Sequence, residues 1–129
     1  MLKAYEVAKE ANKAARSFIR AGVTGDEVFE VIREVAESYD KVKEPDQRAG
    51  YSMGLSFPRD WGEGQIISIK KGEDRPLEAG MTFHLTGTHA SRWPSSTNHG
   101  MVRCSDTILV TETGCDTLTN GIERKLFVK

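Results

Sequence analysis

The sequence predicts an α+β fold in which two N-terminal helices pack on a curved, mainly antiparallel sheet. Apolar residues recur at helical spacing up to residue 39, and beyond residue 50 short β-favouring runs are divided by glycine and proline. The helical part precedes the strand part and does not alternate with it. This order favours helices segregated on one face of an antiparallel sheet over a parallel, doubly wound one.

The first helix is predicted from Leu2 to Ala21 and ends at Gly22. Its apolar residues recur at steps of three and four, which places them on one face: Ala4, Val7, Ala8, Ala11, Ala15 and Phe18. Because most of these side chains are alanine, another element can approach this face closely.

The second helix follows at once. Thr24 and Glu27 have the spacing of a capping box, in which each side chain bonds the backbone amide of the other residue. The apolar side of this helix carries larger side chains that fill volume: Val28, Phe29, Ile32, Val35, Ala36 and Tyr39. Both helices are therefore expected to pack on the sheet.

The remainder of the chain is predicted to be mostly strand. The expected strands lie near Tyr51–Phe57, Gln65–Lys70, Met81–Thr86 and Asp106–Thr111, with shorter ones near Asp116–Leu118 and Lys125–Val128. Between them, residues 87–101 are rich in serine, threonine, proline and glycine and lack periodicity. The sequence predicts a long loop there, either functional or mobile.

Bulk properties exclude several classes of protein. The 129 residues fit one domain, 1–129, and the formal net charge of −1 gives no field that attracts nucleic acid. No apolar run approaches the roughly 20 residues that span a bilayer, and the N-terminus lacks the pattern of a signal peptide. We therefore expect no nucleic-acid or membrane partner, a cytoplasmic location, and free thiols at Cys104 and Cys115.

Four segments carry a family resemblance in their order and spacing: RAGVTGDE at 20–27, GYSMGLSFPRDWGE at 50–63, LEAGMTFH at 77–84 and SDTILVTETG at 105–114. Together they resemble the C-terminal half of the pita-bread superfamily, which includes peptidase M24, creatinase and aminopeptidase P (Xaa-Pro peptidase) proteins. The GYSMG run with its aspartate-tryptophan-glycine-glutamate turn is most similar to the metal-free creatinase and ectoine hydrolase type. The resemblance implies a partial pita-bread domain.

The resemblance also implies which positions would hold metal. Metal-dependent members bind two ions through two aspartates, a histidine and two glutamates. The two aspartates precede the region matched here. The histidine and the two glutamates fall on Tyr51, Thr86 and Ser105, and a second family histidine falls on Pro58. None of these residues supplies an imidazole or a carboxylate, so no metal and no other cofactor is expected.

The metal-free relatives imply a function, namely hydrolysis of a carbon–nitrogen bond in a small amide, amidine or dipeptide-like substrate. Their principal catalytic histidine comes from the region before the match, so the catalytic residues stay unknown. The alternative is a catalytically inactive, truncated fragment that acts as a binding or dimerisation module. In either case we expect a homo-oligomer or pairing with a missing N-terminal half, because the fold leaves apolar area exposed.

Four residues are candidates for contacting the substrate. Tyr51 could form a hydrogen bond to it, and His84 could line a cavity from the sheet face opposite Phe83. Asp60 and Glu63, on either side of a tryptophan-glycine turn, could hold a cationic group. Simpler structural roles are open for all four: strand packing for Tyr51, a half-buried strand histidine for His84, and turn formation for the two acids.

Overall fold

The computed structural model describes residues 2–39, 48–55, 66–92 and 99–120. The helices are α1 (Leu2–Phe18) and α2 (Gly25–Tyr39). The strands are β1 (Gly50–Ser52), β2 (Ser68–Ile69), β3 (Thr82–Arg92), β4 (His99–Val110) and β5 (Cys115–Thr117). They form one sheet in the order β2-β1-β3-β4-β5, with every neighbouring pair antiparallel. The predicted α+β fold with two helices on an antiparallel sheet is confirmed.

The hydrophobic core lies between the two helices and one face of the sheet. From the sheet it takes Phe83, Leu85, Ile108 and Val110, and the helices add Ala11, Ala15, Val28, Phe29 and Ile32. The small side chains of α1 allow its backbone to approach β3. A Cβ added at Gly87 would lie 2.1 Å from the Ala8 carbonyl oxygen, so only glycine fits at this crossing.

The first helix ends at Phe18, three residues before the predicted Ala21. Two backbone amides beyond it have partners outside the helix. The Ala21 amide donates to the Thr111 carbonyl at 3.0 Å, and the Gly22 amide donates to the Leu77 carbonyl at 2.8 Å. Gly22 has a φ of 91°, a backbone conformation outside the helical region that favours glycine. Hydrogen bonds to the end of the sheet therefore replace the last predicted helical turn.

The predicted capping box of α2 is confirmed. The Thr24 amide donates to Glu27 Oε2 at 2.7 Å, and the Glu27 amide donates to Thr24 Oγ1 at 3.2 Å. Glu27 Oε2 also accepts a hydrogen bond from the Thr24 hydroxyl at 3.1 Å. These bonds satisfy backbone donors that the first turn of a helix leaves without partners.

The loop predicted over 87–101 is wrong for most of its length. β3 and β4 remain paired from Gly87↔Cys104 as far as Arg92↔His99, so residues 87–92 and 99–101 belong to a long hairpin. Consequently His89 and His99 lie on strands rather than in a loop. Each strand offers the other a continuous row of backbone donors and acceptors, which outweighs the weak strand preference of these small polar residues.

The two strands on the β2 edge are shorter than predicted. β1 ends at Ser52 and β2 covers only Ser68–Ile69. The ends of the predicted strands at residues 56–57 and 65 lie outside the described residues, as does the strand predicted at Lys125–Val128. Within the described ranges, neither helix is long and apolar enough to cross a membrane.

Candidate functional site

The sheet has two faces of different composition. Because side chains alternate along a strand, residues between the core positions point away from the helices. On β1, β3 and β4 these residues form what we call the polar face: Tyr51, Thr82, His84, Thr86, Arg103, Ser105 and Thr107. The register places Tyr51 beside His84, His84 beside Thr107, and Thr86 beside Ser105. Residues far apart in the sequence therefore share one surface.

Two aromatic rings lie side by side on the polar face. The Tyr51 and His84 ring centroids are 5.1 Å apart with an interplanar angle of 34°. The Arg48 guanidinium lies over the Tyr51 ring of this pair, with its Cζ 4.8 Å from the ring centroid. This distance is typical of a cation–π contact, which holds the guanidinium beside the face.

The environment of His84 disfavours the positively charged form of its imidazole. Partial burial lowers its pKa below the usual value, the positive charge of Arg103 lowers it further, and Asp106 acts in the opposite direction. His84 is therefore mainly neutral near pH 7. A neutral imidazole offers one nitrogen as a hydrogen-bond acceptor and the other as a donor.

Two hydroxyl groups meet next to this ring pair. The Ser105 and Thr86 Oγ atoms are 3.4 Å apart, and Thr86 is buried. With Tyr51, these are the three positions that the family resemblance equates with metal ligands. The fold thus brings all three to one face, where they present a phenol and two aliphatic hydroxyls.

A third set of contacts lies at the opposite end of the polar face. The Thr82 hydroxyl donates to the Met53 carbonyl at 2.7 Å, and the Thr107 hydroxyl lies 4.0 Å from the Met53 sulfur. These bonds fix the chain that leaves β1 against β3 and β4. They position this edge of the face rather than offering groups to a ligand.

Behind the polar face, a buried polar network joins β4 to α1. The Asp106 side chain is fully buried; its Oδ2 lies 3.5 Å from Arg16 Nε, and its Oδ1 accepts the Thr119 hydroxyl at 2.6 Å. Arg16 Nε also donates to Asn12 Oδ1 at 2.9 Å, and Asn12 Nδ2 donates to the Cys104 carbonyl at 3.1 Å. Because Cys104 and Asp106 flank Ser105 in the chain, this network fixes the position of Ser105.

The structure brings together two of the four predicted substrate contacts. Tyr51 and His84 are neighbours on the polar face, whereas Asp60 and Glu63 lie outside the described residues, as does Pro58. The positions of Arg48 and Arg103 beside this face were not predicted from the sequence. The only sequence feature that pointed to them is that Arg48 is close to Tyr51, and Arg103 is close to Ser105, two strand positions already considered.

The described residues contain no group of three or more histidine, cysteine, aspartate or glutamate side chains arranged to hold a metal ion. Both cysteines are free thiols, as predicted, and Cys104 is buried. Burial raises the pKa of the Cys115 thiol, which makes it a weaker nucleophile at neutral pH.

Comparison with known proteins gives consistent matches. The sequence matches the profile of metallopeptidase family M24 over residues 1–112. It is 34% identical over 125 residues to the ectoine hydrolase of Halomonas elongata, a match that covers 96% of this chain and 26% of that enzyme. This relative is of the type that the GYSMG segment resembles.

Solved structures share the fold. The prolidase from Pyrococcus furiosus has a TM-score of 0.78 at 26% identity, covering 95% of this chain and 33% of that one. The X-Pro aminopeptidase from Thermotoga maritima has a TM-score of 0.81 at 23% identity, covering 99% and 33%, a likeness that shows the fold alone. This chain therefore spans between a quarter and a third of the length of these relatives.

Proposed function

We propose that this chain supplies the polar face of a hydrolase that cleaves a carbon–nitrogen bond without a metal ion. The chain belongs to metallopeptidase family M24. The substrate class is a small amide, amidine or dipeptide-like molecule. The likeness to an ectoine hydrolase supports hydrolysis as the type of reaction. Since the chain spans about a quarter of that relative, residues outside this sequence contribute to the complete site.

The observation that carries metal independence is the chemistry at Tyr51, Thr86 and Ser105. Divalent metals in such sites are held by carboxylates and imidazoles, whereas a phenol and aliphatic hydroxyls are poor ligands. The Thr86 and Ser105 hydroxyls also face each other at 3.4 Å. The residues present do not fit a metal pair, so we assign no step to one.

Within the proposed reaction, the side chains of the polar face bind and orient the substrate. The neutral His84 imidazole can accept a hydrogen bond from a substrate N–H, or donate one to a carbonyl oxygen. The Tyr51 phenol beside it can do the same, because it too is both donor and acceptor. The two rings therefore suit a substrate that carries adjacent donor and acceptor groups, as an amide does.

The proposal is tested with the protein encoded by the whole reading frame that contains this sequence. Incubation with a panel of small amides, amidines and dipeptides, followed by NMR, should reveal hydrolysis of at least one substrate. We expect the rate to be unchanged after treatment with EDTA, and to fall when His84 is replaced by glutamine. Loss of activity in EDTA with recovery on adding Mn²⁺, Co²⁺ or Zn²⁺ would show a metallopeptidase instead.

A second candidate function is a non-catalytic module that binds or dimerises. The observation that favours it is exposed apolar surface: Leu55 is 100%, Ile66 57% and Leu118 55% exposed. Light scattering on the purified chain would then show a stable homodimer, or a complex with a polypeptide bearing the other half of the fold. A stable complex without turnover of any panel member would favour this function over the first.

A further inference from the structure

We infer that Asn12 of α1 is a positioning residue for the candidate site, because from behind the sheet it holds the Thr86 and Ser105 hydroxyl groups where a substrate would meet them. This inference rests on the proposed hydrolase function and adds a residue to that same site. Asn12 is fully buried between α1 and the sheet, so it acts through the two strands and does not touch the substrate.

Asn12 is a polar residue in an apolar part of the protein. Its neighbours on the buried side of α1 include the small apolar residues Ala8 and Ala11. A buried amide side chain lowers stability unless its donor and acceptor both find partners. Here Asn12 Oδ1 accepts a hydrogen bond from Arg16 Nε at 2.9 Å, and Asn12 Nδ2 donates one to the Cys104 carbonyl at 3.1 Å. The second bond joins α1 directly to β4.

The two hydroxyl groups belong to residues that lie opposite each other in the register of β3 and β4. The Thr86 amide donates to the Ala49 carbonyl at 2.8 Å and so points towards β1. Thr86 and Ser105 therefore form a pair without backbone hydrogen bonds between them, and side chains lie closer together in such pairs. Their Oγ atoms are 3.4 Å apart, which is longer than a typical O–H···O bond. A small shift of β4 would therefore separate the two groups.

Asn12 contacts the next pair of residues along the hairpin, Gly87 and Cys104. A Cβ added at Gly87 would lie 2.8 Å from the Asn12 backbone nitrogen and 2.9 Å from the Asn12 Cβ, so the helix lies directly against β3 there. The Nδ2 bond fixes β4 at Cys104, the residue opposite Gly87. Because Gly87 follows Thr86 and Cys104 precedes Ser105, Asn12 fixes the position of both strands one residue from each hydroxyl group.

Arg16 extends these contacts to the other side of Ser105. The same Nε that donates to Asn12 lies 3.5 Å from Asp106 Oδ2. Cys104 and Asp106, the residues on either side of Ser105, are therefore both connected to Asn12. Loss of the Asn12 amide removes the bond to Cys104 and one of the two contacts that orient Arg16 Nε.

The test is a double-mutant cycle on the protein encoded by the whole reading frame, with the substrate that it hydrolyses fastest. Asn12→Leu keeps the approximate size of the side chain but removes both hydrogen bonds. It should lower kcat/KM about tenfold, the factor that corresponds to the loss of one hydrogen bond. In a Ser105→Ala background the same change should have no further effect, because Asn12 acts through Ser105. Asn12→Ala, which suits the alanine-rich face of α1, replaces Asn12→Leu in the cycle if that variant does not fold.

Ile32→Val is the control that separates positioning from stability. It removes one methyl group from the core on α2, which packs against α1 and β2, and so lowers the free energy of unfolding from a position on the other helix. Urea unfolding measures the stability of each variant, and kcat/KM of Ile32→Val should be unchanged. The inference would be overturned by an unchanged kcat/KM in the Asn12 variant, by an equal loss in the Ser105→Ala background, or by an equal loss in Ile32→Val.

Hydrogen exchange distinguishes failure of this inference from failure of the proposed function. Amide exchange at Cys104, Ser105 and Asp106 should be faster in the Asn12 variant than in the unchanged protein, and should not change in Ile32→Val. Faster exchange in a protein that hydrolyses no member of the panel would retain Asn12 as the residue that positions the hydroxyl groups and reject the hydrolase. Hydrolysis together with unchanged exchange in the Asn12 variant would retain the hydrolase and reject the positioning role.

Discussion

At the residue scale, the identity of a few side chains decides what the polar face can bind. Tyr51, Thr86 and Ser105 lie on one face of the sheet, and each carries a hydroxyl group that can both donate and accept a hydrogen bond. His84 lies beside Tyr51 with its pKa lowered chiefly by burial. The face therefore combines neutral hydrogen-bonding groups with two guanidinium groups at its sides.

The lowered pKa of His84 predicts a pH dependence of stability. An unfolded histidine titrates at about 6.5, so below that pH the unfolded chain binds a proton that the folded His84 resists. The free energy of unfolding should therefore fall as pH drops from about 7.5 to about 5, and His84→Gln should reduce this fall. Urea unfolding at both pH values measures it; an identical fall in the two proteins would contradict the assignment.

Asp106 predicts a stability effect of a different kind. Its side chain is fully buried beside Arg16, so Asp106→Ala removes the carboxylate from the Arg16 guanidinium and the acceptor of the Thr119 hydroxyl. Loss of this buried acceptor beside the partly exposed Arg16 should lower the free energy of unfolding by about 1 to 3 kcal/mol. Glu37→Ala, which breaks a surface pair with Arg33 at 2.6 Å, should lower the free energy of unfolding much less, because solvent screens exposed pairs. Equal losses in urea unfolding would reject the buried network.

The positions of some of these residues could be predicted from the sequence, whereas others could not, for a physical reason. The side on which His84 lies follows from strand alternation, because Phe83 and Leu85 must face the core. The Arg16–Asp106 contact joins residues ninety positions apart in the sequence, and no local pattern encodes it. The stacking of Arg48 on Tyr51 likewise depends on how the chain enters β1.

At the element scale, periodicity identified the helices and the capping box but not the length of the hairpin. The capping box is a local device whose two partners are three residues apart, so its spacing alone predicts it. The outer part of the β3–β4 hairpin has weak intrinsic strand preference. It forms because each strand extends the ladder of the other, which a single-strand pattern does not reveal.

The crossing of α1 over β3 predicts a severe effect of a small substitution. Gly87→Ala would place a methyl group 2.1 Å from the Ala8 carbonyl oxygen and 2.8 Å from the Asn12 amide nitrogen, both backbone atoms. We expect a loss of about 3 kcal/mol or more, as for overpacking of a tight core, or failure to fold. Thermal unfolding measures it.

Gly114→Ala provides the matched control for this crossing. The nearest atom to a Cβ added at Gly114 is Thr111 Oγ1 at 4.0 Å, an ordinary contact distance. Its melting temperature should therefore stay close to that of the unchanged protein. A Gly87→Ala variant as stable as Gly114→Ala would show that α1 does not approach β3 as described.

At the scale of the whole molecule, the two faces of the sheet have different roles. Its helix side builds the core that holds the register of β1, β3 and β4, and its polar side displays the residues of the candidate site. The family to which the chain belongs was predictable because four ordered segments carry it across most of the sequence. The substrate was not predictable, because the sequence specifies residue types, whereas substrate recognition depends on how those residues are placed across three strands.

We propose that the face equivalent to the family metal site binds no metal pair in this protein. Calorimetric titration of the whole reading-frame protein with Mn²⁺, Co²⁺ and Zn²⁺ tests it directly. We predict no saturable heat for any of the three ions, because Tyr51, Thr86 and Ser105 offer no imidazole or carboxylate. Tight, stoichiometric uptake that is abolished by changing Thr86 and Ser105 to alanine would contradict the claim.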